Sequence, residues 1–110
     1  MKRIEAIIPQ KKLTVVDEAL SKSGVTGITI FESKGRGKEP IQPMFAGSTR
    51  FGMFFPEFNH SNTIMVLVRD QDAEKVVESI QKTAQVGKII ITNIDTVIDI
   101  KSNKKGEQGL

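Results

Sequence analysis

A single pattern occurs twice along the chain: an apolar strand, an amphipathic helix and a second apolar strand. This repetition restricts the fold more than any other feature. Residues 2–9 alternate, with Ile4, Ala6 and Ile8 on one face and Arg3, Glu5 and Ile7 on the other. Pro9 ends the run, because proline cannot donate to a sheet ladder. Residues 13–23 then change to helical spacing. Leu13, Val16, Ala19 and Leu20 form one stripe, and Asp17, Glu18 and Lys22 lie opposite. Gly24 is placed as a helix C-cap, and residues 26–32 form a second strand with Ile28 and Ile30 on one side and Thr29 and Phe31 on the other. The second copy begins with residues 63–69, an almost unbroken apolar strand. Asp70-Gln71-Asp72 offers N-cap chemistry ahead of a helix over residues 73–85, whose buried stripe is Val76, Val77, Ile80 and Ala84. Gly87 falls near its end, and residues 89–91 and 96–100 supply the last one or two strands.

Two such units in 110 residues make one domain. They predict an α+β fold, a ferredoxin-like βαββαβ sandwich: a four-stranded antiparallel sheet with two helices on one face and a long loop between the halves. The strand over residues 63–69 is apolar on both of its faces. A two-layer sandwich covers only one of them, so a partner subunit is expected on the other, which predicts a homo-oligomer. The polar tail at residues 102–110, with Gly106 and Gly109, is expected to be mobile at its end.

The segment Glu32-Ser33-Lys34-Gly35-Arg36-Gly37-Lys38-Glu39-Pro40 opens the long loop. Gly-x-Gly after a strand bares backbone N–H groups, and Lys34, Arg36 and Lys38 add positive charge, which is the chemistry of a phosphate or anion cradle. The same residues also suit an ordinary strand-to-loop turn. Net charge is +3, but the basic residues are spread out and neither Trp nor Tyr is present to stack on bases, so a nucleic-acid partner is not expected. With no Cys, disulfides, thiolate metal sites and a cysteine nucleophile are excluded. No apolar run approaches the ~20 residues of a membrane span, so membrane insertion is not expected and the cytoplasm is the expected compartment. His60 is the only histidine and sits among Asn59, Ser61 and Asn62, which suits a surface position. Glu39, Glu57 and His60 share the loop region without metal-ligand spacing, and Asp95 and Asp99 read as solvent-facing. No base–nucleophile arrangement is visible, so neither a catalytic residue nor a metal is assigned and an enzyme is not expected.

Met1-Lys2-Arg3-Ile4-Glu5-Ala6-Ile7-Ile8 resembles the opening of the PII nitrogen-regulatory signal transduction proteins. Leu13, Glu18-Ala19-Leu20, Gly24-Val25-Thr26-Gly27 and Thr29 continue the resemblance in register. So do Lys34-Gly35-x-Gly37, Thr83-Ala84-Gln85, Gly87-Lys88 and Val97-Ile98-x-Ile100-Lys101. The resemblance implies a PII-like domain over residues 1–101 with an effector loop at about 35–57, followed by the tail. It further implies a cytoplasmic homotrimer without catalytic activity. Such a protein binds ATP or ADP in clefts between subunits and senses 2-oxoglutarate with magnesium. Its loops act on an ammonium transporter or a metabolic enzyme. The nucleotide or anion site implied uses Thr29, Gly35, Gly37 and Lys38 of one subunit and Gly87, Lys88 and Lys101 of its neighbour.

Several residues depart from the family pattern. Lys38 stands for an arginine, and the post-helix loop is shortened to Val86-Gly87-Lys88. Two arginines of the last strand are replaced by Asp99 and Lys101. Glu39 and Glu57 place negative charge where a dianion would bind, which argues against magnesium-dependent 2-oxoglutarate sensing while leaving ATP, ADP or AMP as candidates. The chain has no tyrosine for nucleotidylation; Arg50 and Phe51 lie nearest that position. Arg50, Phe51, Met53 and Phe54 are therefore the candidate partner-binding residues, with an arginine and aromatic pair as the anchor. The alternative is a constitutive protein-interaction module that has lost ATP and 2-oxoglutarate sensing.

Overall fold

The computed structural model describes residues 1–38, 44–45, 53–54 and 58–110. Strand β1 (Lys2–Pro9) leads through a short 3-10 turn (Gln10–Lys12) into helix α1 (Leu13–Lys22), followed by β2 (Thr29–Gly35). Two short strands, β3 (Met44–Phe45) and β4 (Met53–Phe54), pair antiparallel within the loop region. The second half consists of β5 (Asn59–Val68), α2 (Asp70–Ala84) and β6 (Lys88–Asn93). The main sheet has the order β2-β5-β1-β6 with every pair antiparallel, and this is the expected ferredoxin-like α+β architecture.

Alternation along β1 and β5 builds the core. Ile4, Ala6 and Ile8 stand beside Val66, Ile64 and Asn62 in register, and all six are buried. Val16 and Leu20 of α1 and Val76, Ile80 and Ala84 of α2 cover this face. Each fully buried branched side chain contributes ~1.5–3 kcal/mol relative to exposure. The Ser23 and Ser79 hydroxyls share a 2.6 Å hydrogen bond that ties the end of α1 to α2. Ser23 is the C-cap of α1, and Gly24, the expected cap, lies one residue beyond it at φ +90°, the left-handed conformation glycine allows after a helix.

The opposite sheet face is uncovered. Ile7, Phe31, Leu67 and Ile90 keep 37%, 50%, 38% and 43% of their surface exposed. The apolar run in β5 thus alternates within one chain: Ile64, Val66 and Val68 are buried, Thr63 and Met65 half-buried and Leu67 exposed.

Some boundaries differ from the sequence reading, each for a local reason. β2 begins at Thr29 rather than residue 26 and continues through Ser33, Lys34 and Gly35, because polar Ser61, His60 and Asn59 of β5 extend the ladder beside them. Asp70 and Asp72 are first-turn residues of α2, not caps. Asp72 accepts a 2.8 Å hydrogen bond from Arg69 Nε, and Asp70 accepts one of 2.8 Å from the N-terminal ammonium. Residues 96–100 form no full strand. A single bridge joins Ile98 to Lys105, and the tail folds back into a 3-10 turn (Gly106–Gly109) instead of trailing away. The Gly106 N–H donates to the Val97 carbonyl at 2.9 Å, closing that reversal.

Candidate functional site

The sheet register determines which candidate groups one chain brings together. Gly35 pairs with Asn59, Pro9 with Ser61, and Lys88 with Ile7. Gly35, Gly37 and Lys38 therefore leave the sheet at the same end at which Gly87 and Lys88 enter it. β2 and β6 are the outer strands, so the two sets stand three strand spacings (~14 Å) apart across the sheet, and Gly35 lies four residues (~13 Å) further along it than Lys88. Thr29 pairs with Met65 and lies at the opposite end, six residues and ~20 Å along β2 from Gly35. The C-terminal segment belongs to Thr29's end: the Ile94 N–H donates to the Met1 carbonyl at 3.1 Å, and Glu107 and Leu110 border a groove that Gly27 and Thr29 also line. The resemblance implies a site that takes Thr29, Gly35, Gly37 and Lys38 from one subunit and Gly87, Lys88 and Lys101 from its neighbour, and within one chain Thr29 stands apart from Gly35 along β2. The register sets Lys88 level with Ile7, Thr63 and Phe31, four residues short of Gly35 along the sheet.

Each end has its own chemistry. The groove at Thr29's end encloses about 740 Å³ and carries Arg69 and Lys75 against Asp72 and Glu107. The Arg69 guanidinium is committed: Asp72 holds it at 2.8 Å and raises its pKa above the ordinary value. The other end is basic, with Lys34, Arg36, Lys38 and Lys88 exposed. A second cavity of about 430 Å³ lies there, with Ile8, Ile80, Ala84 and Ile89 as apolar walls and Lys88 at its rim. Lys38, Lys88 and Lys101 are exposed and form no ion pair among the described residues.

Gly87 also has a structural duty. It adopts φ +127°, and a Cβ there would lie 2.1 Å from the Ile7 carbonyl oxygen. Only glycine lets the turn after α2 close onto β1, so its bare backbone is required by the fold whatever it binds. Gln85 supplies the left-handed cap just before it, at φ 65°.

Asp99 is not simply solvent-facing. Its Oδ2 accepts the Ser102 N–H at 2.8 Å and the Ser102 hydroxyl at 2.7 Å, and these bonds hold its carboxyl below the usual carboxylate range. The sequence reading missed this pair, although Asp followed three residues later by Ser is spacing suited to a side-chain-capped turn. Asp95 is exposed, and His60 is exposed beside Lys34 at the start of β5. No cluster of three or more metal-ligating side chains occurs among the described residues. Glu39, Arg50, Phe51 and Glu57 lie outside the described residues, whereas Met53 and Phe54 form β4. No helix among the described residues is long and apolar enough to cross a membrane.

The fold and these two ends define a small ferredoxin-like α+β protein with a loop inserted between its halves and candidate ligand groups at both ends of its sheet. The family model described as Nitrogen regulatory protein P-II matches residues 1–104. The chain is 37% identical over 112 residues to the nitrogen regulatory protein P-II of Rhizobium meliloti (strain 1021), covering 96% of each chain. It is 36% identical to that of Azospirillum brasilense, again over 96% of each. With the nitrogen regulatory protein P-II 2 of Methanothermobacter thermautotrophicus it shares 34% identity over all of this chain and 97% of the relative. The chain belongs to the P-II family of nitrogen regulatory proteins.

Proposed function

We propose that this chain is a cytoplasmic, non-catalytic regulator of nitrogen metabolism that acts as a homotrimer. It binds an adenine nucleotide (ATP, ADP or AMP) or another small anion between subunits and controls a transporter or metabolic enzyme through its loop. The observation that carries this reading is the split site. The groove at Thr29's end has balanced charge and a committed arginine, while Lys38, Lys88 and the Gly-x-Gly backbone lie away from it, toward the end of the sheet where β2 leaves and β6 enters. The reading requires that subunits packed through their open faces set the Thr29 end of one copy beside the Gly35–Lys38 and Gly87–Lys88 groups of the next. Lys101 then comes from the copy that supplies Thr29. The apolar surface of Ile7, Phe31, Leu67 and Ile90 favours such packing.

Two measurements test the proposal. Sedimentation equilibrium is expected to give three times the 12.2 kDa of one chain. Calorimetric titration with ATP, ADP and AMP is expected to show binding that weakens in Lys38→Ala and Lys88→Ala. A trimer that takes up none of the three nucleotides, with or without 2-oxoglutarate and magnesium, yet still captures a transporter or enzyme, would establish the constitutive interaction module instead. Loss of that capture in Arg50→Ala or Phe51→Ala would assign the contact to the loop.

A further inference from the structure

Asp99 occupies a position at which a carboxylate looks unfavourable for an anion site, and its hydrogen bonds alter that reading. The side chain turns back onto its own reversal, where Oδ2 takes the Ser102 N–H at 2.8 Å and the Ser102 Oγ–H at 2.7 Å. The main chain closes around the same point: the Asn103 N–H donates to the Asp99 carbonyl at 2.8 Å, and the Asp99 N–H to the Lys104 carbonyl at 2.9 Å. Asn103 sits at φ 59°, a left-handed conformation that asparagine tolerates. Lys101 and Ser102 occupy the tip of this closed reversal, and Lys101 is exposed.

We infer that Asp99 and Ser102 form a clasp that fixes the backbone of Lys101, making them positioning residues for an anionic ligand rather than an obstacle to it. The inference rests on the proposed nucleotide site. Two opposing effects decide the sign of an Asp99 substitution. Its charge is partly open to water and taken up by two donors of Ser102, so its repulsion of a phosphate is screened. Its hydrogen bonds order residues 99–103 before any ligand arrives, which lowers the entropy lost when the flexible lysine stem engages. The second effect dominates if the clasp is intact in solution. The carboxylate thus serves the site through geometry, although its charge opposes the ligand.

The test uses the full chain and titrations with ATP, ADP and AMP. Asp99→Ala is expected to weaken ADP and ATP binding by about three- to tenfold, and Ser102→Ala by a similar factor, through the loss of local order. Ser102→Thr, which keeps the hydroxyl, is expected to stay within about twofold. In a Lys101→Ala background the Asp99→Ala effect should vanish, because the clasp acts only through Lys101. Tighter binding in Asp99→Ala, or an undiminished effect in the Lys101→Ala background, overturns the clasp while leaving the nucleotide site standing. Hydrogen exchange in the unliganded protein tests the clasp without any nucleotide. The Ser102 amide should be protected in the wild type and unprotected in Asp99→Ala, and fast exchange in the wild type overturns the inference. Absence of nucleotide uptake by the wild type overturns both the proposed site and the role assigned to the clasp.

Discussion

Replacing Gly87 with alanine tests most directly how the end of the sheet near the candidate site is built. The added Cβ would stand 2.1 Å from the Ile7 carbonyl oxygen and 3.2 Å from the Ile7 carbonyl carbon, both main-chain atoms with little room to yield. Relieving the closer contact requires roughly 1 Å of movement between the post-helix turn and β1. That movement disrupts the pairing of Ile7 with Lys88, where each lost hydrogen bond costs ~0.5–1.5 kcal/mol. The positive φ of 127° adds ~1–3 kcal/mol of backbone strain for any L residue. Together the destabilisation is about 3 kcal/mol, a large share of the ~5–15 kcal/mol that holds a domain together. The chain lacks Trp and Tyr, so urea unfolding is best followed by far-UV circular dichroism. Protein concentration must be held constant, because assembly adds to apparent stability. The midpoint is expected to fall by roughly 1–3 M urea. Gly27→Ala serves as the control: its added Cβ meets nothing within 4 Å, so its midpoint should match the wild type. A Gly87→Ala midpoint within about 0.3 M of wild type would refute the close approach of this turn to the Ile7 carbonyl.

Other expectations test the core, the open face and the clasp. Ile80→Ala, at 1% exposure beneath both layers, should cost ~2–5 kcal/mol in the same unfolding assay. Leu67→Asp on the uncovered face should leave the circular dichroism spectrum of the monomer fold intact but shift sedimentation toward single chains; an unchanged assembly would exclude this face as the contact. The Asp99 carboxyl is held below its ordinary range by Ser102, so its native pKa lies below its unfolded one. The clasp therefore contributes fully above the unfolded value and is lost as pH falls through the lower native value. Slowed exchange at the Ser102 amide, corrected for the intrinsic rate, should persist into acid where an ordinary aspartate is already protonated. Loss of protection at the ordinary carboxylate range would contradict the clasp's geometry.

Much of the fold was legible because hydrophobic period reports burial directly. Ile4, Ala6 and Ile8 fall on one side of a two-residue repeat, and Val76, Ile80 and Ala84 on one side of a helical repeat, and both sets are buried. Boundaries were less legible where polar residues extend a ladder. Asn59 to Ser61 show no apolar alternation, yet their backbone pairs with Gly35 to Ser33. The same limit hid the fate of residues 96–100, whose alternating isoleucines suggest a strand. Ile98 and Ile100 are exposed, and only one bridge forms. The candidate site was legible as a set of residue types, Gly-x-Gly with lysines and a glycine after the second helix, but not as an arrangement.

The two βαβ halves, the side of each strand that enters the core and the family to which these residues point are all written in the order of the residues. Those properties follow from local periodicity and residue chemistry, which no distant contact is needed to define. How the pieces face one another emerges in the folded chain. The sheet holds Thr29 and Gly35 at opposite ends of β2, brings Gly87 against the Ile7 carbonyl, and leaves one apolar face bare. The chain also folds Asp99 back onto Ser102, so that a carboxylate read from sequence as an opposing charge becomes part of a turn. The physical reason is that register and reversal depend on hydrogen bonds between residues distant in sequence or closed across a turn, and residue identity alone does not specify those pairings.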